Sequence, residues 1–482
     1  MWHQHLLPAL FPQIILAAAA VLCMLLIAIR RNHAVIHLFT LLSLILALAS
    51  LGKIYSSTTV DGLFVIDGLG LFMEGLILIT AFFITIFSYP YFAESLIERE
   101  EYYVLLLLAT LGATSMVISN HFLSFFLSLE ILSVSLYTLI AYPKNMSASV
   151  EAGVKYLMLA AVSSAILVLG FGLIYVQTGQ LGLSLPGQSA IGGVDANNVW
   201  LITGLGLVIA GLGFKLALVP FHLWTPDVYA GAPAPTSAFV ATISKGSVFV
   251  FLWRLFDSYG MMSHAVELIF VVIAIASMLI GNWLALLQQN IKRLLAYSSI
   301  AHLGYLIVAF VASGETGLHA AVFYLIAYFI SMLGAFGIIG FLSESGENGQ
   351  HEKLALSSYT GLFWQKPGLA ILFAAIMLSL AGIPLTAGFI GKFYILLSGA
   401  HSMQWLLVIV LILSSVIGLF YYLRVVIQLF TRPDVSLSYS ASPYAVSTGL
   451  AFLVLFILLI WFGVMPGHLI DQIAQMVHVF KG

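Results

Sequence analysis

Charge is what this sequence has least of. Of its 482 residues only 7% are Asp, Glu, Lys or Arg, against 62% hydrophobic, too few to coat a water-soluble protein of this length. A soluble globular fold is excluded, and no stretch is hydrophilic enough to hide a separate soluble domain. Cysteine is nearly absent too. Cys23 lies in the first apolar stretch with no second thiol to join, so disulfides, thiolate metal sites and iron–sulfur ligation by this chain are excluded, and redox chemistry within it is not expected.

What the chain has in excess is apolar length. Runs of roughly 20 residues, enough to cross about 30 Å of hydrocarbon, occur about fourteen times, at 10–29, 34–52, 68–90, 102–119, 121–142, 152–176, 198–223, 236–257, 264–287, 292–312, 318–342, 369–398, 402–430 and 442–465. The first is read as a permanent helix, not a cleaved signal, because its upstream flank MWHQH lacks Lys and Arg while Arg30 and Arg31 follow it. Sorting the seventeen basic residues onto alternate sides places Arg30, Arg31, Arg99, Lys144, Lys155, Lys292, Arg293, Lys353, Lys366, Arg424 and Arg432 together, and only Lys53, Arg254 and Lys481 opposite. The basic-rich side is expected to be cytoplasmic, with both termini outside.

Three lysines resist this sorting. Lys215, Lys245 and Lys392 each fall well inside an apolar segment, where a charge costs about 2.5 to 3.5 kcal/mol on insertion scales. One such lysine is explained by a structural carboxylate partner; three are not, because nearly all nineteen acidic residues fall between the segments. The exception is Glu130, near the middle of HFLSFFLSLEILSVSLYTLIAY. Glu74 is a weaker candidate, and Asp67 is read as interfacial. Burial disfavours an ammonium group and a neighbouring carboxylate favours it, so a carboxylate that moves relative to a buried lysine switches it between holding and releasing a proton without metal or cofactor.

Proline and glycine punctuate two of these segments. Pro220 follows Lys215 by five residues, and Gly382, Pro384 and Gly388 precede Lys392. Each set breaks a helix and frees carbonyls near a lysine, although a packing kink is the plainer alternative. Grouping segments 4 to 8 and 9 to 13 puts Lys215 and Lys392 each in the fourth helix of a five-helix unit, and because five is odd the units are expected to be inverted. In the second unit Ser298, Ser299 and His302 occupy the segment corresponding to that of Glu130; His302 is equally compatible with proton relay and with packing. The glycines of GLGLVIAGLG (204–213) lack the strand, helix and acidic residue of a nucleotide fingerprint and suit close helix packing. The stretch 343–367 is read as a solvated loop with one interfacial turn.

The motifs FKLALVPFHLWTPDVYAGAPAPTSAF with ATISK, LSLAGIPLTAGFIGKFYI, SLEILSVSLYTL and NIKRLLAYSSIAHLGY resemble those of the antiporter-like subunits of respiratory complex I, over essentially the whole chain. Lys392, and an end soon after the fourteenth segment, resemble the subunit N type. The resemblance implies an all-α polytopic protein of the bacterial inner membrane with about fourteen helices, two inverted five-helix repeats and broken helices 7 and 12. The corresponding divisions are 1–101, 102–257, 264–430 and 442–482. It also implies proton translocation driven by electron transfer from NADH to quinone in other subunits, which would hold the FMN and iron–sulfur clusters; no cofactor or metal is expected here. Partners would be the other membrane subunits, especially a neighbouring antiporter-like one, and lipid, with no nucleic acid. Carried onto matching positions, the family roles make Glu130 and Lys215 a switching ion pair, Lys245 a connecting lysine and Lys392 the residue towards the periplasmic half-channel, with Lys155, His222, Lys292 and His302 accessory. Alternatives are a non-pumping coupling subunit, or a subunit of a cation/proton antiporter or membrane-bound hydrogenase.

Overall fold

Helices account for nearly all of the described chain in the computed structural model, which describes residues 8–52, 58–93, 99–183, 198–259, 264–346, 349–432 and 445–481. They are α1 (Phe11–Ile29), α2 (His33–Leu51), α3 (Gly68–Ala93), α4 (Glu101–Val117), α5 (Phe122–Ile140), α6 (Ser147–Thr178), α7 (Val199–Leu216), α8 (Trp224–Gly231) and α9 (Ala234–Phe239). After a π-helical turn, Val240–Ser244, follow α10 (Lys245–Tyr259), α11 (His264–Leu286), α12 (Ile291–Ala312), α13 (Gly314–Phe341), α14 (Pro367–Ala381), α15 (Ala387–His401), α16 (Trp405–Phe430), α17 (Ala445–Val464) and α18 (Gly467–Lys481). Among the described residues twelve helices are long and apolar enough to cross a membrane, and α4 and α14 are shorter apolar helices. Together they coincide with the fourteen apolar segments; in the seventh the helix stops at Leu216, with α8 following beyond residue 223, and the twelfth is divided into α14 and α15. The α9–α10 rod, α12 and α13 are buried along almost their whole length and form the core; α1, α2, α6, α16 and α17 turn broad apolar faces outward.

Local chemistry sets the ends. Asn198 and Asn290 cap α7 and α12 by accepting from the amides of Trp200 and Leu201, and of Lys292 and Arg293. The breaks come where the backbone turns left-handed: Ala217 (φ 59°) ends α7 and Gly382 (φ 85°) ends α14. Pro220 therefore lies inside a break that is already open at Ala217, and its peptide bond with Val219 is cis.

The two five-helix units correspond in detail. Before α5 the chain pairs with the segment after α6, Phe122 N donating to Leu181 O and Leu183 N to Asn120 O, both at 2.8 Å. Before α12 it pairs with the segment after α13 in the same way, Ile291 N to Leu354 O at 2.8 Å and Leu356 N to Gln289 O at 2.9 Å. Gly112 of α4 lies against the backbone of Ser128 and Leu132, as Gly281 of α11 lies against that of Tyr297 and Ala301. Only a residue without a Cβ lets these helices approach so closely, the usual basis of packing in a membrane. In this correspondence Ser299 stands where Glu130 stands in the first unit.

The short tail after α17 is the helix α18, on which Leu469, Ile473 and Met476 share one face and are buried, where that helix packs on α3 and α13. One expectation is corrected. The stretch 343–367 is not simply solvated, since Leu356, Tyr359 and Leu362 are buried and Glu352 reaches inward. Short hairpins β1–β2 (Thr58–Val60, Phe64–Ile66) and β3–β4 (Glu344–Gly346, Gly349–His351), a 3-10 turn (Leu356–Tyr359) and a single helical turn (Leu362–Gln365) complete the described structure. Lys53, assigned to the sparsely charged side, lies outside the described residues.

Candidate functional site

Lys215 sits in the last turn of α7, and its side chain is buried. Its Nζ donates to Ser133 Oγ of α5 at 2.9 Å. The carbonyl of the preceding residue, Phe214, is taken by the indole Nε1 of Trp224 at 2.9 Å, which ties α8 back across the break. Glu130, one turn from Ser133 on α5, is half-buried and accepts from Ser164 Oγ at 2.7 Å. Glu130 and Lys215 thus belong to one neighbourhood, but they do not touch.

Lys245 begins α10 directly after the π-helical turn, a distortion that recurs at functional sites. Its Nζ donates to Ser299 Oγ of α12 at 2.7 Å and lies 5.2 Å from the Tyr229 ring centroid. Ser299 also accepts from Tyr328 OH at 2.7 Å. One turn along α12, His302 is held between Tyr324 OH and Tyr422 OH. Next comes Tyr305, whose hydroxyl meets Asn282 and Ser414 and whose ring faces Lys392 Nζ at 5.1 Å.

Lys392 belongs to α15, so Lys215 and Lys392 lie on opposite halves of their broken helices. The long side chain compensates: Lys392 Nζ reaches back to the carbonyls of Leu380 and Ala381 at the end of α14, each at 2.9 Å, and to Ser415 Oγ at 3.0 Å. Both ammonium groups therefore stand at the C-terminal end of a half-helix, where the backbone dipole is negative and unsatisfied carbonyls await a donor. A cavity of about 270 Å³ opens beside Lys392, lined by Ser415, Phe393 and Leu411 among others. Among the described residues none of the three lysines is ion-paired with a carboxylate; their partners are serine hydroxyls, carbonyls and aromatic faces.

The accessory residues are dispersed. Lys155 is half-exposed and pairs with Glu151 at 2.7 Å and Asp227 at 2.9 Å, and Asp227 also receives Arg293 at 2.8 Å. Burial opposes ionisation of Asp227, but the hydrogen bonds from Lys155 and Arg293 outweigh it and hold the carboxyl below its usual value. His222 is buried in the α7–α8 break with Nδ1 unpartnered. Lys292, sorted with the loop cations, is fully buried and paired with Glu352 at 2.7 Å. Lys155 and Arg293, sorted to the same side, meet on Asp227. On the other side, Arg254 grips Asp67 through two nitrogens at 2.6 Å and Val117 O at 2.7 Å. Asp67, at the start of α3, is thereby buried within the protein, and Glu74 is completely buried against Gln13. Among the described residues no three His, Cys, Asp or Glu side chains gather in a way that could hold a metal ion. Sequence reasoning missed Ser133, Ser415, Glu352 and the tyrosines around His302; the only signal for the tyrosines is the helical spacing of Tyr324 and Tyr328.

Residues 119–418 match the family model described as NADH:quinone oxidoreductase/Mrp antiporter, TM. The chain belongs to this antiporter family. A chain of respiratory complex I from Thermus thermophilus, solved with bound aureothin, is 32% identical, with 95% of this chain and 98% of that one covered and a TM-score of 0.82. An archaeal membrane-bound sulfane sulfur reductase contains a chain of the same fold, 23% identical over 98% and 97% of the two chains (TM-score 0.85). So does the Mrp complex of Dietzia sp. DQ12-45-1b, at 20% identity over 98% of each chain (TM-score 0.85). Both broken helices and every buried lysine described above lie within the matched span.

Proposed function

We propose that this chain is a membrane subunit of a proton-pumping NADH:quinone oxidoreductase, of the subunit N type, and that it translocates protons through Glu130, Lys215, Lys245 and Lys392 while electrons pass in other subunits. The observation that carries the reading is the set of three deeply buried lysines, at 3%, 1% and 6% exposure, each held by neutral partners. An ammonium group kept out of water with no carboxylate bonded to it responds to a charge that moves nearby, which the members of a closed ion pair do far less. The identity to the complex I chain, and Lys392 on the twelfth segment, favour this membership over the other members of the family. In this reading the protein forms part of a translocase whose flavin, iron–sulfur clusters and quinone belong to partner subunits. It sits in the bacterial inner membrane with the basic-rich side cytoplasmic and both termini periplasmic. The divisions are an N-terminal three-helix segment (1–101), two inverted repeats (102–257 and 264–430) and a C-terminal helix with its tail (442–482).

The separation of Glu130 from Lys215 favours a second reading, in which Glu130 answers to a charge on a neighbouring subunit and this chain relays that signal without releasing protons. Proteoliposomes containing the whole complex decide between them. Lys215→Met is expected to lower protons moved per electron while assembly and quinone reduction persist. An unchanged ratio in an assembled Lys215→Met complex would sink the proton-path assignment.

A further inference from the structure

Outside the lysine series, one carboxylate joins four parts of the fold. Glu352 Oε2 accepts from Lys292 Nζ at the start of α12 at 2.7 Å. Its Oε1 accepts from Tyr91 OH of α3 at 2.8 Å and from the Ala234 amide at the start of α9 at 2.7 Å. Lys292 Nζ donates in addition to Ala232 O. The pair therefore straddles the α8–α9 link and satisfies backbone groups on both sides of Pro233. The Lys292 side chain is 0% exposed and that of Glu352 9%.

Folding of the repeat does not require this pair. The first unit makes the same backbone bridge between the chain before α5 and the segment after α6, yet Leu123 and Gly179 stand there in the places of Lys292 and Glu352. The second unit has added an ion pair to a join that already closes without it. What the pair does connect is the α9–α10 rod and α12, the two elements whose side chains meet as Lys245 and Ser299 at 2.7 Å. Ser299 lies two turns along α12 from Lys292, and Lys245 follows Ala234 on the same rod, beyond the π-helical turn.

We propose that Glu352 is a positioning residue for proton transfer: it latches the start of α9 to the start of α12 and so sets the register in which Lys245 meets Ser299. This inference rests on the proton-translocating reading. A carboxylate suits the task because one group must accept from an ammonium, a hydroxyl and an amide at once, which no neutral side chain does with equal strength.

The test compares assembled complexes in proteoliposomes, scoring protons per electron separately from the rate of NADH-driven quinone reduction. Glu352→Gln leaves the buried Lys292 ammonium opposed by an amide, and is expected to lower the proton ratio about twofold or more with electron transfer retained. Lys292→Met combined with Glu352→Gln removes both charges while Gln keeps an acceptor for Ala234 and Tyr91, and is expected to restore the ratio. A native ratio in Glu352→Gln, beside a lowered one in Lys245→Met, overturns the latch and leaves the proton-path reading standing. A native ratio in Lys245→Met as well overturns that reading itself. If the double variant assembles but does not pump, the charges themselves are needed and positioning is wrong. Should Glu352→Gln fail to assemble, the double variant alone decides: native pumping upholds the latch, and failure of both variants to assemble overturns it by making the pair a folding element.

Discussion

Lys392 Nζ and the carbonyl oxygen of Ala381 meet at 2.9 Å across a broken helix, the cation on one half and the acceptor at the end of the other. The contact needs a backbone that turns away directly after Ala381, which Gly382 supplies at φ 85°. A Cβ at Gly382 would stand 2.9 Å from Lys392 Cδ. Gly382→Ala is therefore expected to cost about 1–3 kcal/mol in backbone strain and to push the lysine stem off its carbonyls, lowering proton transfer more than assembly. A native melting temperature and native pumping together would refute this.

The other side of the same break is tighter. A Cβ on Gly388 would fall 2.0 Å from Ser379 O, a backbone atom with nowhere to move. Gly388→Ala should destabilise the subunit by at least about 1–3 kcal/mol, seen as a lowered unfolding temperature of the purified complex or as loss of assembly, whereas Gly368→Ala, with open space around its Cβ, should do neither.

Asp67 and Arg254 bind face to face in the interior, their side chains 7% and 5% exposed. Removing one partner strands a buried charge, so Arg254→Met is expected to cost about 3–5 kcal/mol, while Asp67→Leu with Arg254→Met should recover most of it. Thermal unfolding of the single and double variants checks the cycle; equal losses in both would show that the pair is not energetically coupled.

Asp227 offers a pH signature at the surface. Its folded carboxyl is held below the ordinary value by hydrogen bonds from Lys155 and Arg293, against the opposing effect of burial. A depressed carboxylate contributes stability that is present above its unfolded pKa, about 3.9, and is lost as the pH falls through the folded value. The unfolding temperature of the native protein should decline as the medium is acidified below about pH 4, and Asp227→Asn should show a shallower decline. Parallel curves would exclude the linkage.

Ser299 is the neutral partner of Lys245 and also accepts from Tyr328. Ser299→Ala leaves Lys245 facing only aromatic rings, so protons moved per electron should fall, while Ser247→Ala, whose hydroxyl bonds back to Ile243 O and Ser244 O in its own rod, should change little. Identical behaviour of the two variants would remove Ser299 from the path.

The fourteen apolar segments, both helix breaks and the three interior lysines were legible in the sequence because each leaves a local mark: an apolar run, a Gly–Pro interruption, a cation where none is expected. Relations between distant residues leave none. Glu352 lies in the most hydrophilic stretch of the chain, so its inward turn depends on Lys292 and Ala234, which are remote in sequence. Tyr324, Tyr328 and Tyr422 read as ordinary filling of apolar helices until His302 and Ser299 are placed beside them. The sequence order also suggested that Lys215 and Lys392 are equivalent, and only the direction of the Lys392 side chain shows that they reach similar half-helix ends from opposite halves.

Hydroxyl partners give these lysines a property that carboxylates would deny them. The oxygen of Ser133, Ser299 or Ser415 accepts from an ammonium, but the same hydroxyl carries a hydrogen that can rotate to donate to a neutral amine. A lysine that surrenders its proton there keeps its hydrogen bond by reversing the bond's direction, with heavy atoms at the same separation. Arrival and departure of the charge then demand little rearrangement of the packed helices around it, and the resting geometry serves both protonation states.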